Sequence, residues 1–187
     1  FIGYQSGQYI GIEVDPNKGI QSTTDEEAYR EIRQYSLSDK PNGETYRISV
    51  KREILGKPGI VSNYLHDGLR LGEEVTLYAP AGDFHLKSTN SPVVLVSAGV
   101  GLTPMQSMLE TLVAEGKDNI HYLHACETPA QHSFKKRLSE LEQQGKVKSL
   151  VWYKSEGQNE TKARHGFMDI AAVEDQLPLG LDDHLAV

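Results

Sequence analysis

One short segment, RQYSLS at residues 33–38, combines three side chains that recognise ligands in different ways. The Arg33 guanidinium offers a fork of donors, the Tyr35 ring offers a surface for stacking, and the Ser36 hydroxyl offers a hydrogen bond. Together these groups suit a flat, anionic ligand. The same residue types are common in strands with one wet face, so the segment alone leaves both interpretations open.

A glycine-containing turn, SAGVGLTP at residues 97–104, follows an apolar run and precedes a helical pattern. Glycines allow a tight turn and the approach of a pyrophosphate, and a helix start offers N–H groups and a positive dipole end. The third glycine of the usual dinucleotide fingerprint is missing, because Leu102, Thr103 and Pro104 follow Gly101. Alone, G-x-G also fits an ordinary strand-to-helix turn. Its place after a β-rich half favours a dinucleotide site.

A third candidate is the start of a helix predicted over residues 61–69, VSNYLHDGL. Ser62 suits the N-cap position of this helix. The same helix start, with Val61, Ser62 and Asn63, also suits a phosphate group. The two interpretations are compatible because they use the same N–H groups.

The composition argues against several classes of site. The 187 residues have a formal net charge of −7, which argues against a nucleic-acid surface. The single cysteine, Cys126, excludes an internal disulfide framework and an iron–sulfur cluster held by this chain alone. The seven histidines show no metal-site spacing. Without a long apolar run or a secretory signal, we expect a cytoplasmic protein with no membrane or nucleic-acid partner.

The two halves of the sequence have different periodicities. In the first half apolar residues alternate with polar ones, which predicts strands over 7–14, 46–53 and 73–80 and a polar surface excursion at 16–31. In the second half strands are predicted over 92–99, 119–126 and 148–154, helices over 102–116 and 132–145, and a helical turn within 167–177.

The first of these helices has marked ends. Thr103 suits the cap, Pro104 the first helical position, Gln106 a capping box and Gly116 the end of the helix. The pattern predicts an antiparallel β-barrel over residues 1–88 and a doubly wound α/β domain with a parallel sheet over 89–187.

The combined motifs resemble a known family. RQYSLS, YRISVKRE, GIVSNYL, APAGDF and SAGVGLTPM occur in the order found in reductases of the ferredoxin–NADP reductase type. In detail the chain is most similar to the reductase portion of bacterial flavohemoglobins, the nitric oxide dioxygenases. The resemblance covers nearly the whole chain, and it implies FAD and NAD(P)H as cofactors.

The resemblance also implies roles for individual residues. Arg33 would pair with the FAD pyrophosphate, Tyr35 would pack on the isoalloxazine ring, and Ser36 would bond near the flavin N5, where hydride arrives. The other FAD-binding residues implied are Tyr9, Gln34, Val61, Ser62 and Asn63. The nicotinamide dinucleotide loop implied is Gly99, Val100, Gly101, Leu102, Thr103 and Pro104.

The chain departs from the family at both ends. No globin precedes it, the first barrel strand is missing, and it stops at DDHLAV, where the last strand and a Cys-Gly-Pro motif would follow. Cys126 is not that cysteine, since it follows the second α/β strand. We therefore expect an incomplete reductase portion whose haem partner lies in a preceding globin domain.

The implied function is hydride transfer from NAD(P)H to FAD and single-electron transfer to a haem for nitric oxide dioxygenation. A related alternative is a reductase that serves a separate oxygenase, ferredoxin or cytochrome. An alternative of another class is a non-catalytic module that has lost flavin, which a yellow colour of the protein would exclude. The choice between NADH and NADPH stays open. Glu127 suits a free ribose hydroxyl but equally fits an ordinary loop acid, whereas Lys135, Lys136 and Arg137 favour a phosphate.

Overall fold

The computed structural model describes residues 1–15, 30–54, 56, 58–88, 90–155 and 162–178 of the chain. The surface excursion predicted at 16–31 therefore lies outside the described residues except for its last two. The segment DDHLAV also lies outside them. No helix in the described ranges has the length and apolar character needed to cross a membrane.

Three strands of the first half form an antiparallel sheet in the order β2-β1-β3. They are β1 (Tyr9–Val14), β2 (Glu31–Ser36) and β3 (Thr76–Leu77). β1 pairs with β2 along its length, with Tyr9 opposite Ser36 and Ile12 opposite Arg33. Ile10, Ile12 and Val14 are buried together, as the alternation predicted.

The prediction of a strand over 46–53 is wrong. This segment forms only an isolated bridge between Leu37 and Ile48. Its apolar residues Tyr46 and Ile48 do pack against the core around β1. β2 has already ended at this point, so no second strand is available to extend the ladder. The strand predicted over 73–80 is confirmed only in its centre, as β3.

A short helix, α1 (Ile60–Asn63), continues into a π-helical turn at Tyr64–Gly68. The predicted cap at Ser62 is wrong, because Gly59 occupies the N-cap position and Ser62 is the third helical residue. The Ser62 hydroxyl donates to the Gly59 carbonyl at 3.3 Å. Val61 is buried in the same cluster as β1, which fixes α1 against the sheet.

Four parallel strands form the sheet of the second half, in the order β4-β5-β6-β7. They are β4 (Val93–Ala98), β5 (Ile120–Cys126), β6 (Val147–Tyr153) and β7 (Arg164–His165). Helices α2 (Leu102–Ala114) and α3 (Lys135–Gln143) follow 3-10 turns at Gly99–Gly101 and Pro129–Gln131, and a third 3-10 turn spans Ala171–Gln176. The predicted parallel α/β architecture is confirmed, whereas β7 was not predicted.

Both faces of this sheet are covered. Helices α2 and α3 pack on the same face, because right-handed crossovers in a sheet built outward in one direction place successive helices on one side. Leu109 and Leu141 are completely buried there. The opposite face is covered by the 3-10 turn at Ala171–Gln176, whose Val173 packs against Leu123 and Trp152.

The start of α2 differs from the prediction, and its end does not. Gly101 occupies the N-cap position, so Thr103 and Pro104 are the second and third helical residues. Gln106 bonds farther along the helix instead of closing a capping box at its start. The preceding 3-10 turn is the reason, since it begins the helical winding earlier. Gly116 ends the helix with a φ of +74°, as expected of a C-terminal glycine.

The two halves pack against each other through α2. The hydroxyls of Ser6 and Thr111 lie 2.6 Å apart. Gly7 has a φ of +109°, and a Cβ atom there would lie 2.5 Å from the Phe84 carbonyl oxygen, so the backbone requires glycine where it approaches Met108 of α2. The division of the chain at residue 88 stays a prediction, but α2 holds the two sheets in a defined relation.

Candidate functional site

A cavity of about 540 Å³ lies at the carboxyl edge of the parallel sheet, where β4, β5 and β6 end. Its lining comes from residues 49–51 of the first half and from the segments that follow these strands in the second half. In open α/β sheets ligands bind at this edge, and this volume is typical of a small-molecule site. The cavity is therefore the candidate nucleotide site.

Four residues of the predicted glycine turn line this cavity: Gly99, Val100, Leu102 and Thr103. Gly101 and Pro104 are not among the lining residues. Gly99 has a φ of +53°, which favours glycine. Gly101 has a φ of −62°, and no heavy atom lies within 4 Å of a Cβ built on it. Neither its backbone nor its protein neighbours require glycine, so its missing side chain leaves open space before α2.

Glu127 lines the cavity just after β5 and is held by two groups that follow β6. Its carboxylate accepts a bond from the Ser155 hydroxyl at 2.6 Å and one from the Lys154 ammonium at 3.2 Å. These contacts, the Ser155 bond first, lower the pKa of Glu127. Arg137, one of the basic residues expected to favour a phosphate, donates two hydrogen bonds of 2.8 Å to Glu110 of α2. It does not line the cavity.

Several lining residues were missed by the sequence analysis. They are Ser49, Val50 and Lys51 from the first half, and Ala130, Gln131, Ser133, Lys154, Gly166 and Phe167 from the second. The residues after β5 and β6 could have been found, because parallel strands end at a common edge. Residues 49–51 carry no such signal, since only the packing of the two halves brings them there.

Arg33 and Tyr35 lie on the core side of β2. In the register with β1 they stand opposite Ile12 and Ile10, whose side chains are buried on the face that also contacts α1. The Arg33 side chain is 54% exposed and donates to the Glu31 carboxylate at 2.7 Å. Tyr35 is half-buried, and this burial raises its pKa. A charged donor and an aromatic ring thus share one face.

The remaining predicted residues of this segment face the other way. Gln34 and Ser36 alternate with Arg33 and Tyr35, and Ser36 stands opposite Tyr9 in the sheet. The Tyr9 ring packs against Gly82, where an added Cβ atom would lie only 2.9 Å from the ring. The six-residue motif is therefore divided between two faces of β2.

The side chains at the start of α1 shape the turn before the helix. Asn63 donates through its amide to the carbonyls of Glu53 at 2.9 Å and Gly59 at 2.7 Å. The N–H groups of Ile60, Val61 and Ser62 have no acceptor within the helix, as at any helix start. These N–H groups, rather than the amide of Asn63, are the donors suited to an anion.

Two histidines lie buried next to the cavity. The Nδ1 atom of His124 is 2.9 Å from the Ser97 hydroxyl, and burial lowers the pKa of His124 to about 4. The Nδ1 atom of His132 is 2.9 Å from the Tyr153 hydroxyl. Within the described ranges no group of three or more His, Cys, Asp or Glu side chains is placed to hold a metal ion.

Comparison with known proteins identifies related sequences and structures. Residues 95–187 match the family model described as oxidoreductase NAD-binding domain. A flavohemoprotein of Vibrio cholerae is 50% identical over 157 residues, which is 83% of this chain and 38% of that protein. Amycolatopsis cytochrome P450 reductase GcoB is 26% identical with a TM-score of 0.70, over 92% of this chain and 49% of that one.

The chain spans less than half the length of the curated flavohemoproteins it matches, between 38% and 45%. One solved structure, which contains a single domain of such a protein, is matched over most of the length of both chains. The flavohemoglobin-like FAD/NAD-binding domain of nitric oxide dioxygenase from Vibrio cholerae is 46% identical, with a TM-score of 0.84, over 97% of this chain and 72% of that one. The resemblance read from the motifs is confirmed, and the chain belongs to the family of flavohemoprotein FAD/NAD-binding reductase domains.

Proposed function

We propose that this chain binds FAD against β2 and α1 and NAD(P)H in the cavity at the carboxyl edge of the parallel sheet. It passes hydride from the nicotinamide to the flavin and single electrons onward to a haem. The observation that carries the proposal is the cavity itself, which is lined by the glycine turn on one side and by residues 49–51 of the flavin-side half on the other.

The dinucleotide site is supported by the geometry around α2. The helical winding at this edge starts at the 3-10 turn Gly99–Gly101, whose Gly99 and Val100 carbonyls accept the first N–H groups of α2. Gly99 and Val100 themselves line the cavity. The positive end of the helix dipole favours a phosphate at the same place. Glu127 at the rim is an ionised acceptor within the lining, suited to a ribose hydroxyl.

The residues of the first half fit FAD in their chemistry. The exposed guanidinium of Arg33 suits a pyrophosphate, and the half-buried ring of Tyr35 on the same face suits a flat ring system. The start of α1 packs in the same cluster as Tyr35, and the first N–H groups of a helix have no acceptor within the helix. When bound, FAD accepts a hydride and releases its electrons one at a time. Arg33 and α1 bind the anionic part, and Tyr35 orients the ring.

The acceptor belongs to the whole protein. We propose that it is the haem of a globin domain in the same full-length chain, that the full-length activity is nitric oxide dioxygenation, and that the protein is cytoplasmic. The support is the relationship to flavohemoproteins more than twice as long as this chain. Within the chain, no acid–base residue is required, because hydride and electrons move between the bound groups.

The test is an absorbance spectrum after incubation with FAD and gel filtration, followed by anaerobic addition of NADH and then NADPH. We expect retained flavin that bleaches with one of the two donors. Flavin that is retained by Arg52→Ala but lost by Arg33→Ala would locate the pyrophosphate at β2. A chain extended at both ends that still retains no flavin would contradict the proposal.

A second candidate is a reductase for a separate redox protein, which the likeness to cytochrome P450 reductase GcoB favours. The two candidates differ in the acceptor. Reduction of a haem within the same full-length polypeptide at a rate independent of protein concentration supports the first. A rate that rises with the concentration of an added redox partner supports the second.

A further inference from the structure

The connection between β5 and α3 forms one wall of the cavity without being regular secondary structure. Ala130, Gln131 and Ser133 line the cavity, and a single 3-10 turn is the only winding before α3 begins at Lys135. The connection has backbone bonds of its own, donated by the N–H groups of residues 131–133. Its position against the rest of the molecule depends on side-chain contacts.

Phe134, the last residue of this connection, has an unusual backbone. Its φ of +60° places it in the left-handed region, which is costly for a residue with a large side chain. It serves as the N-cap of α3, although its side chain makes no capping bond. A large residue keeps this conformation only where contacts with its surroundings offset the cost.

The ring of Phe134 is held by a cation from the other half of the molecule. The guanidinium carbon of Arg47 lies 5.5 Å from the ring centre, within the range of a cation–π contact. Arg47 is in turn fixed by a bond to the Ser38 carbonyl and an ion pair with Asp39 at 3.5 Å. Two residues later, Ser49 begins the opposite wall of the cavity.

A second anchor acts on the same connection from within the parallel sheet. His132 is buried, and its hydrogen bond to Tyr153 at the end of β6 fixes the residue between Gln131 and Ser133 of the wall. The wall is thus tied to its own sheet at His132 and to the facing wall at Phe134. Of these two anchors, the Phe134 contact is the one that joins the two halves.

We propose that Arg47 and Phe134 are positioning residues that hold the two walls of the cavity at the separation required for the nicotinamide nucleotide. This inference rests on the proposed function, because it assumes that the nucleotide enters this cavity. Loss of the contact leaves the wall tied to its own sheet at His132 but no longer to the facing wall. Binding must then restore the separation of the two walls, which lowers the affinity. Neither residue needs to touch the nucleotide.

The test is a double-mutant cycle read as NAD⁺ affinity of the FAD-loaded protein, measured by calorimetry. Phe134→Leu keeps the apolar bulk and removes the aromatic face, and Arg47→Met keeps the stem and removes the charge. We expect each variant to weaken NAD⁺ binding about fivefold, and the double variant no more than either one. Phe134→Tyr should bind as the unchanged protein does, because it keeps the ring.

Two measurements separate positioning from loss of structure. The rate of flavin reduction at saturating NADH should stay unchanged in all variants. The substitutions alter only the fraction of unliganded molecules in which the two walls have the separation required for binding. Arg52→Met, which removes a first-half cation that pairs with Asp67 and does not line the cavity, should not change NAD⁺ affinity. Effects of the two substitutions that multiply, to about 25-fold, or no effect of either, would overturn the inference. If the unchanged protein itself bound no NAD⁺, the proposed function would fail instead.

Discussion

Replacing Gly101 by alanine should stabilise the fold and weaken nucleotide binding at the same time. Its φ of −62° and ψ of −6° are favourable for alanine, and the added Cβ meets no protein atom within 4 Å. A compatible glycine-to-alanine change restricts the unfolded chain and typically stabilises by about 0.4–1 kcal/mol. In a chain of this length that raises the Tm by about 1–4 °C.

The effect on binding should have the opposite sign. The space in front of Gly101 is open in the protein, and it lies at the start of α2, where a pyrophosphate would approach the backbone. A methyl group there competes with the ligand. An overpacked contact costs on the order of 1–3 kcal/mol, so NAD⁺ affinity should fall about tenfold or more.

The assay is a thermal melt without nucleotide and a calorimetric titration with NAD⁺, on the same preparation. Gly145→Ala is the matched control. Gly145 also has open space around a Cβ, but its φ of +69° strains alanine, so this variant should lose stability and bind normally. The reasoning is refuted if Gly101→Ala binds NAD⁺ as tightly as the unchanged protein, whatever its Tm.

Three further substitutions test other parts of the structure. Arg33→Ala should weaken FAD binding about tenfold or more, because a charge-assisted bond to phosphate is lost, and flavin retained on gel filtration measures this. Leu109→Ala should lower the free energy of unfolding in urea by about 2–5 kcal/mol, since Leu109 is fully buried; a smaller change would mean that the core of α2 is loosely packed. Burial lowers the pKa of His124 to about 4, so its contribution to stability is complete above the unfolded value near 6.5 and is lost as the pH falls toward 4. The loss of Tm between these two pH values should be smaller in His124→Asn, and an unchanged pH profile would show that another group is responsible.

The second half of the fold was predictable because its signals are local. A continuous apolar run is typical of a strand buried on both faces, and β4 follows that run closely. Gly116 ends α2 because a left-handed residue is required there. The two-residue strand β7 has no such signal, since it is defined only by its pairing with β6.

The first half was less predictable because alternation reports burial and not hydrogen bonding. Tyr46 and Ile48 point into the core as a strand's residues would, yet only one bridge forms. A ladder requires a partner strand at the same place, and that partner is not encoded in the segment itself. The same limit explains why residues 49–51 were not expected to line the cavity.

The division of the RQYS motif between two faces of β2 does not by itself conflict with a shared ligand. Tyr35 and Ser36 are the last two residues of the strand, and a flat ring lying across the strand end can meet both. Just beyond that end, the Ser38 hydroxyl lies 2.9 Å from the hydroxyl of Ser49, which lines the nucleotide cavity. The end of the motif where hydride transfer is proposed is therefore hydrogen-bonded to the cavity wall. Arg33, two residues before Tyr35, lies away from this junction, as the anionic part of a bound FAD would require.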